Sequence, residues 1–362
     1  MADCRLAIII LLLLWFPANA AQHKIETVVT DLNSPWSLAF LPDGDLLITE
    51  LGGTLRRVRD GKLLEQTVSG VPDVYYAGQG GLMDVLVDTD FADNNRIYLS
   101  FAHGDANANA TRLISATLND MKLQDIQILF TATPLKATPH HYGGRMTQNI
   151  DGTLLLTVGD GFNYREQAQR LDSHLGKIIR IKPDGTVPDT NPWYGVRSAL
   201  PHIWSRGHRN QQAIVVAPDG VVYAHEHGPR GGDEINIISK GLNYGWPVIT
   251  LGIDYNGARI SPYTEYEGME QPLVDWTPSI APAGMTYYVG AEFPEWQGDL
   301  FAVSLAQKSV RRIDLEQGLV VSDQRVFPEL DQRMRDIRTG PDGFIYILTD
   351  GADGKLLRIG RN

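Results

Sequence analysis

The sequence predicts an all-β fold, a six-bladed β-propeller of four-stranded antiparallel blades, and three observations carry that prediction. Turn formers are abundant, with 36 Gly and 20 Pro among 362 residues, which favours many short strands over long helices. Sustained helical periodicity is almost missing beyond the first twenty residues. What recurs instead is an apolar strand, a Pro-Asp-Gly or similar turn, and a second, alternating strand.

In chain order, Ile25–Asp31 (IETVVTD) is the first strand, expected to pair with the C-terminal end and close a ring. Clear hairpins follow at Trp36–Glu50, Arg145–Asp160, Gln212–Glu226 and Met334–Asp350, with looser copies at Leu82–Ser100 and Ala283–Ser304. Asp-Gly is a strong hairpin signal because Gly accepts the positive φ that tight turns demand. Six sequential copies, spaced irregularly by about 45 to 70 residues, exceed what a sandwich requires and suit radial blades. No Pro/Ser linker interrupts them, so residues 21–362 read as one domain.

Residues 1–20 stand apart. Arg5 precedes the apolar run Leu6–Phe16, and Ala18-Asn19-Ala20 offers small residues to a peptidase, the layout of a cleaved signal peptide. The run falls short of the roughly 20 residues that span a bilayer, so no stable membrane insertion is expected. Cys4 is the only cysteine and leaves with that segment. The mature chain therefore has no disulfide, thiolate metal site or cysteine nucleophile. A periplasmic or secreted location follows, where oxygen-ligand metals such as calcium are available. With 32 Lys and Arg against 43 Asp and Glu, the net charge of −11 argues against a nucleic-acid partner.

Propeller chemistry is expected on the loops at one rim. The loop Ala137–Arg145 (ATPHHYGGR) holds His140 and His141, either solvated or placed to take a proton from a hydroxyl. Trp204–Gln211 (WSRGHRNQ) crowds Arg206, His208, Arg209, Asn210 and Gln211 together, and Arg333 with Arg335 opens the last hairpin. Each cluster is either a solvated face or, jointly, a clamp for one polyanionic ligand. Glu226–Trp246 (EHGPRGGDEINIISKGLNYGW) places hard oxygens from Gly228, Pro229, Asp233, Glu234 and the backbone near Tyr244 in one Gly-rich stretch, suited to calcium or to water.

These pieces have a precedent as a set. Gly78–Leu82 (GQGGL), His141–Arg145 (HYGGR), Gly207–Asn210 (GHRN), Glu226–Pro229 (EHGP), Asp233–Asn236 (DEIN), Asn243–Trp246 (NYGW) and Arg333–Asp336 (RMRD) occur in the order found in the soluble quinoprotein sugar dehydrogenases. The chain resembles that family of pyrroloquinoline quinone (PQQ)-dependent glucose and aldose dehydrogenases over nearly all of its mature length. The resemblance implies His141 as general base, Arg209 polarising the quinone, and Gln79, Asn210, Arg333 and Arg335 as cofactor ligands. It implies the carbonyls of Gly228 and Pro229 on a Ca2+ beside PQQ, Glu234 and the Tyr244 carbonyl at a second calcium, and Asp160 near the sugar. An aldose substrate, an unidentified electron acceptor and a monomer or homodimer complete that expectation. Two departures stand out: Ala306 where glucose-type members place a cofactor-binding lysine, with Lys308 a possible substitute, and His140 where some members have Asp. A calcium-dependent lactonase and a non-catalytic binding propeller are the alternative readings.

Overall fold

The computed structural model describes residues 23–362, so the expected signal segment lies outside it. Strand β1 (His23–Leu32) leads into blade one, made of β2 (Pro35–Phe40), β3 (Leu46–Glu50), β4 (Thr54–Arg59) and β5 (Lys62–Leu63). Blade two is β6 (Leu82–Val87), β7 (Arg96–Gly104), β8 (Asn109–Asn119) and β9 (Lys122–Thr131). Blade three is β10 (Met146–Gln148), β11 (Leu154–Val158), β12 (Lys177–Ile181) and β13 (Ile203–Arg206). Blade four is β14 (Gln211–Val216), β15 (Val222–Glu226), β16 (Asp233–Ile238) and β17 (Val274–Trp276). Blade five is β18 (Pro282–Tyr287), β19 (Leu300–Ser304), β20 (Val310–Glu316) and β21 (Leu319–Val326). Blade six takes β22 (Met334–Thr339), β23 (Ile345–Thr349) and β24 (Gly354–Arg361), and β1 completes it by pairing antiparallel to β24 from His23–Arg361 to Leu32–Gly354. The six-bladed propeller and its closing strand are as expected, with each hairpin supplying the two inner strands of one blade.

Local chemistry explains the hairpins. In the Leu41–Asp45 turn the Leu41 N–H donates to Asp45 O at 2.8 Å, Gly44 N–H to Leu41 O at 3.0 Å, and Asp45 N–H to the Asp43 carboxylate at 3.0 Å. The same three bonds recur at Asn149–Thr153, Ala217–Val221 and Gly340–Phe344. Gly44, Gly152, Gly220 and Gly343 all hold φ between 78° and 92°, which a side chain would oppose. The second strands differ from expectation. β3, β11, β15, β19 and β23 are buried on both faces, because each blade is covered by a neighbour on either side. They therefore read as apolar runs rather than as alternation.

Six hydrophobic clusters occupy the six gaps between blades, from Leu47, Leu82 and Phe101 between blades one and two round to Leu38, Ile48 and Leu348 between six and one. Inside this ring the central channel is crossed by charge. Arg145 lies over the Trp36 ring at 3.9 Å and pairs with Asp336 at 2.9 Å. Arg338 meets Asp336 at 3.2 Å and Asp84 at 3.4 Å. Arg145 also donates to Gln212 O of blade four at 2.8 Å, and a Cβ on Gly284 of blade five would sit 2.3 Å from Asp336. Two cations and two carboxylates thus join blades one, two, three, four and six at the axis, with blade five packed closely against Asp336. They separate a cavity of about 210 Å³ at one end, lined by Trp36 and Met83, from one of about 340 Å³ at the other, lined by Leu38 and Arg338.

Candidate active site

Two loops cross above the smaller cavity. His141 has φ 51°, a left-handed conformation that His tolerates better than β-branched residues. This turn directs its carbonyl to accept the Gly161 N–H at 3.3 Å and its Nδ1 to lie 2.7 Å from Asp160 Oδ1. The approach is tight: a Cβ on Gly159 would fall 2.4 Å from His141 O. The His141 N–H donates to Gln79 Oε1 at 2.8 Å, so Gln79 braces the loop as well as lining the cavity.

Burial pulls the His141 imidazole below its ordinary value; Asp160 opposes this and Arg209 reinforces it. Burial acts to raise the Asp160 carboxyl, but the bond to His141 and the charge of Arg209 outweigh it and hold the group ionised. With Asp160 as an acceptor, Nδ1 carries the imidazole proton and Nε2 keeps its lone pair.

Asp160, expected near the sugar, has its carboxylate engaged by protein groups. It has no exposed surface, and its other oxygen accepts Trp246 Nε1–H at 2.8 Å while Oδ1 also accepts Phe162 N–H at 2.8 Å. It stands behind the imidazole as an orienting group. Trp246 lies in the NYGW motif, but nothing in the sequence links it to a carboxylate 86 residues earlier.

The Arg209 guanidinium donates through Nη1 to His227 O at 3.0 Å and Gly228 O at 2.6 Å, and through Nη2 to the Tyr255 hydroxyl at 3.3 Å. Its Nε and the Asn210 Nδ2 are buried donors with no partner. Asn210 Oδ1 accepts Gly143 N–H at 3.2 Å, so the amide is held with its free donor elsewhere. Arg333 and Arg335 line the 210 Å³ cavity with Gln79, Gln212, Tyr142 and His227. Both guanidiniums share one carboxylate, Asp350, at 2.8 Å each. Two cations on one anion leave surplus positive charge at the wall. An outer cavity of about 350 Å³ adjoins, walled by Phe162, Arg209, Pro229, Trp246 and Tyr255. His141 lies between the two, bonded to Gln79 in one wall and edge-on to the Phe162 ring of the other at 5.0 Å.

A third space of about 10 Å³, the size of one ion or water, lies among Glu226, Glu234, Gly228, Tyr244 and Thr250. Burial and the adjacent Glu226 carboxylate push the Glu234 carboxyl up to about 8. Asp233, counted with these oxygens from sequence, is instead spent on structure. Its carboxylate accepts Gly228 N–H at 2.9 Å, Ser279 Oγ–H at 2.6 Å, Ile280 N–H at 2.7 Å and Ala281 N–H at 2.8 Å. Among the described residues no group of three or more His, Cys, Asp or Glu side chains is arranged around a metal. A cation here would draw on backbone carbonyls as well as on Glu226 and Glu234. Lys308 is exposed and does not line the smaller cavity, whose wall at this loop is Leu305, so it is no substitute for the lysine missing at Ala306.

A channel-side imidazole with an orienting carboxylate, beside a donor-rich cavity, on a six-bladed propeller defines a class that sequence comparison also reaches. Residues 32–358 match the Glucose / Sorbosone dehydrogenase family, and the chain belongs to it. The aldose sugar dehydrogenase YliI of Escherichia coli strain K12 is 42% identical over 354 residues, covering 96% of this chain and 94% of that one. The apo-form crystal structure of the E. coli soluble aldose sugar dehydrogenase superposes with a TM-score of 0.90 at 41% identity, covering 94% of this chain and 100% of that one. The PQQ-bound aldose sugar dehydrogenase of Streptomyces coelicolor superposes with a TM-score of 0.78 at 26% identity, covering 95% and 100%. No helix among the described residues is long and apolar enough to cross a membrane.

Proposed function

We propose that this protein oxidises aldose sugars at C1 to lactones, with PQQ and calcium as cofactors and His141 as the general base. The His141–Asp160 pair is the observation that carries this reading. An imidazole fixed in the Nδ1–H tautomer and kept neutral by burial is prepared to accept a hydroxyl proton at Nε2. Asp160 then stabilises the imidazolium that forms, and Trp246 keeps the carboxylate in place.

The smaller cavity suits PQQ, which carries three carboxylates and an ortho-quinone. Arg333 and Arg335 supply surplus positive charge and Gln79 a polar side chain in its wall, while Arg209 walls the outer cavity and carries, with Asn210, a buried donor without a partner. When bound, PQQ supplies the two-electron hydride acceptor. Arg209 places positive charge where it would otherwise be costly to bury, held by the Gly228 and His227 carbonyls. The Gly228 carbonyl retains a second lone pair, which with Pro229 O can face a calcium ion. Glu234, Glu226 and the Tyr244 carbonyl suit the second, structural calcium, because a cation relieves the repulsion of the paired carboxylates. An exported, periplasmic or secreted protein fits an enzyme of this kind.

The test is reconstitution: dye-linked aldose oxidation should appear only when both PQQ and calcium are added to apoprotein. His141→Gln should lower turnover by at least about 10²-fold while the cofactor absorbance of the complex persists. Full activity in that variant removes His141 from the mechanism. Lactone hydrolysis without quinone would favour the lactonase reading, and PQQ without effect on thermal stability would favour the binding propeller.

A further inference from the structure

Lys136 is among the largest fully buried side chains, yet no carboxylate contacts it. Its backbone exchanges two hydrogen bonds with Asn109, at 2.8 and 2.9 Å, which pins it to the start of β8. From there the ammonium donates to Asn109 Oδ1 at 2.9 Å and to the Thr138 carbonyl at 2.6 Å, and lies 3.4 Å from the centre of the Tyr142 ring. Tyr142 donates its hydroxyl to the same Asn109 Oδ1 at 2.7 Å. Lys136 and Tyr142 thus bracket His141 in sequence and meet on one acceptor.

The side chain also runs beneath the second loop. A Cβ on Gly161 would sit 2.8 Å from Lys136 Cδ, and the Thr138 hydroxyl donates to Gly161 O at 2.5 Å. Gly161 N–H in turn donates to His141 O at 3.3 Å. A lysine buried without a carboxylate in contact is costly, and burial pushes its amine down to about 7 although the charge of the nearby Asp160 opposes this. An apolar side chain of similar length would fill this space at lower cost, so packing alone does not account for the residue.

We propose that Lys136 is the positioning residue of the base: by tying the Thr138 carbonyl to Asn109 beneath Gly161, it fixes the loop crossing that sets His141 Nδ1 on Asp160. This rests on the reading of His141 as the base, and it separates the residue's local role from fold stability. A loop shift of about 1 Å at a catalytic group costs on the order of 10²-fold in rate.

The experiment uses apoprotein labelled with 15N, in which the Nδ1–H of His141, bonded to a carboxylate, gives a far-downfield proton resonance. Asp160→Asn identifies that resonance by abolishing it. Lys136→Met and Lys136→Gln should fold, with thermal midpoints equal to or above the parent for Met, and should lose or broaden the resonance. In reconstituted enzyme kcat should fall at least about tenfold, with KM for sugar within about twofold. A folded variant that keeps the native resonance overturns the proposal. Failure of both variants to fold overturns it as well, because Lys136 would then determine the fold rather than the base. If the parent oxidises no sugar but the resonance still depends on Lys136, the dehydrogenase reading fails and the positioning role stands.

Discussion

His141 acquires its chemistry from a neighbour with no exposed surface. Burial alone lowers its basicity and would make it a poor proton acceptor; Asp160 restores part of that basicity and fixes the tautomer. Two signed consequences follow. The acid limb of kcat/KM should lie below pH 6.5, since the neutral imidazole persists below its ordinary value. In Asp160→Asn the limb should move further to the acid side, because the group that raised the imidazole is gone. The plateau should drop by about 10²–10⁴-fold, measured as kcat/KM against pH at saturating cofactor. The candidate residues of the two loops were legible because they come as compact motifs. The His141–Asp160 contact was not, because it is decided by the crossing of loops 19 residues apart. The Lys136 tie was equally hidden: it joins the base loop to Asn109, which carries no motif.

At the scale of elements, the blades were readable because their turns are local chemistry. Asp-Gly, preceded by Pro in three of four cases, encodes a positive φ and an Asp bond to the N–H two residues on, and four hairpins reuse it. Outer strands such as β5, β13 and β17 were less legible, since they are two to four residues long and owe their extended form to a neighbouring strand. β1 is the exception: it was expected to pair with the C-terminal end, and it does so as the outer strand that closes the ring. It pairs with β24 along ten residues and adds the Glu26–Arg358 ion pair at 2.6 Å, which at this exposure contributes little. Deleting residues 23–32 should leave β24 as an uncovered edge and strip Val29 and Leu32 from the cluster between blades six and one. The expected outcome is aggregation during expression or a thermal midpoint lower by more than about 10 °C, read by scanning calorimetry. A truncated chain that melts like the parent would show that the ring holds without its clasp.

For the whole molecule, buried histidines dominate the response to acid. Burial pushes His174 and His225 down to about 3 each, so between that value and 6.5 these two sites bind two more protons in the unfolded chain than in the native one, and His227, pushed down to about 4, adds to them. Stability is then fully present above pH 6.5 and is lost as pH falls, at about 3 kcal/mol per unit. Glu234, protonated up to about 8, opposes this by one proton and leaves a net loss of more than about 1 kcal/mol per unit. Thermal midpoints of cation-free protein between pH 7 and 4.5 should fall accordingly, and a flat profile would show those imidazoles to be hydrated. The crossed pairs Arg145–Asp336 and Arg338–Asp84 act on traffic rather than on titration. They cross the axis between the two end cavities, so the smaller cavity is approached from its own rim. If the protein works as the sugar dehydrogenase proposed above, sugar, lactone and electron acceptor would share that one approach and take turns at it.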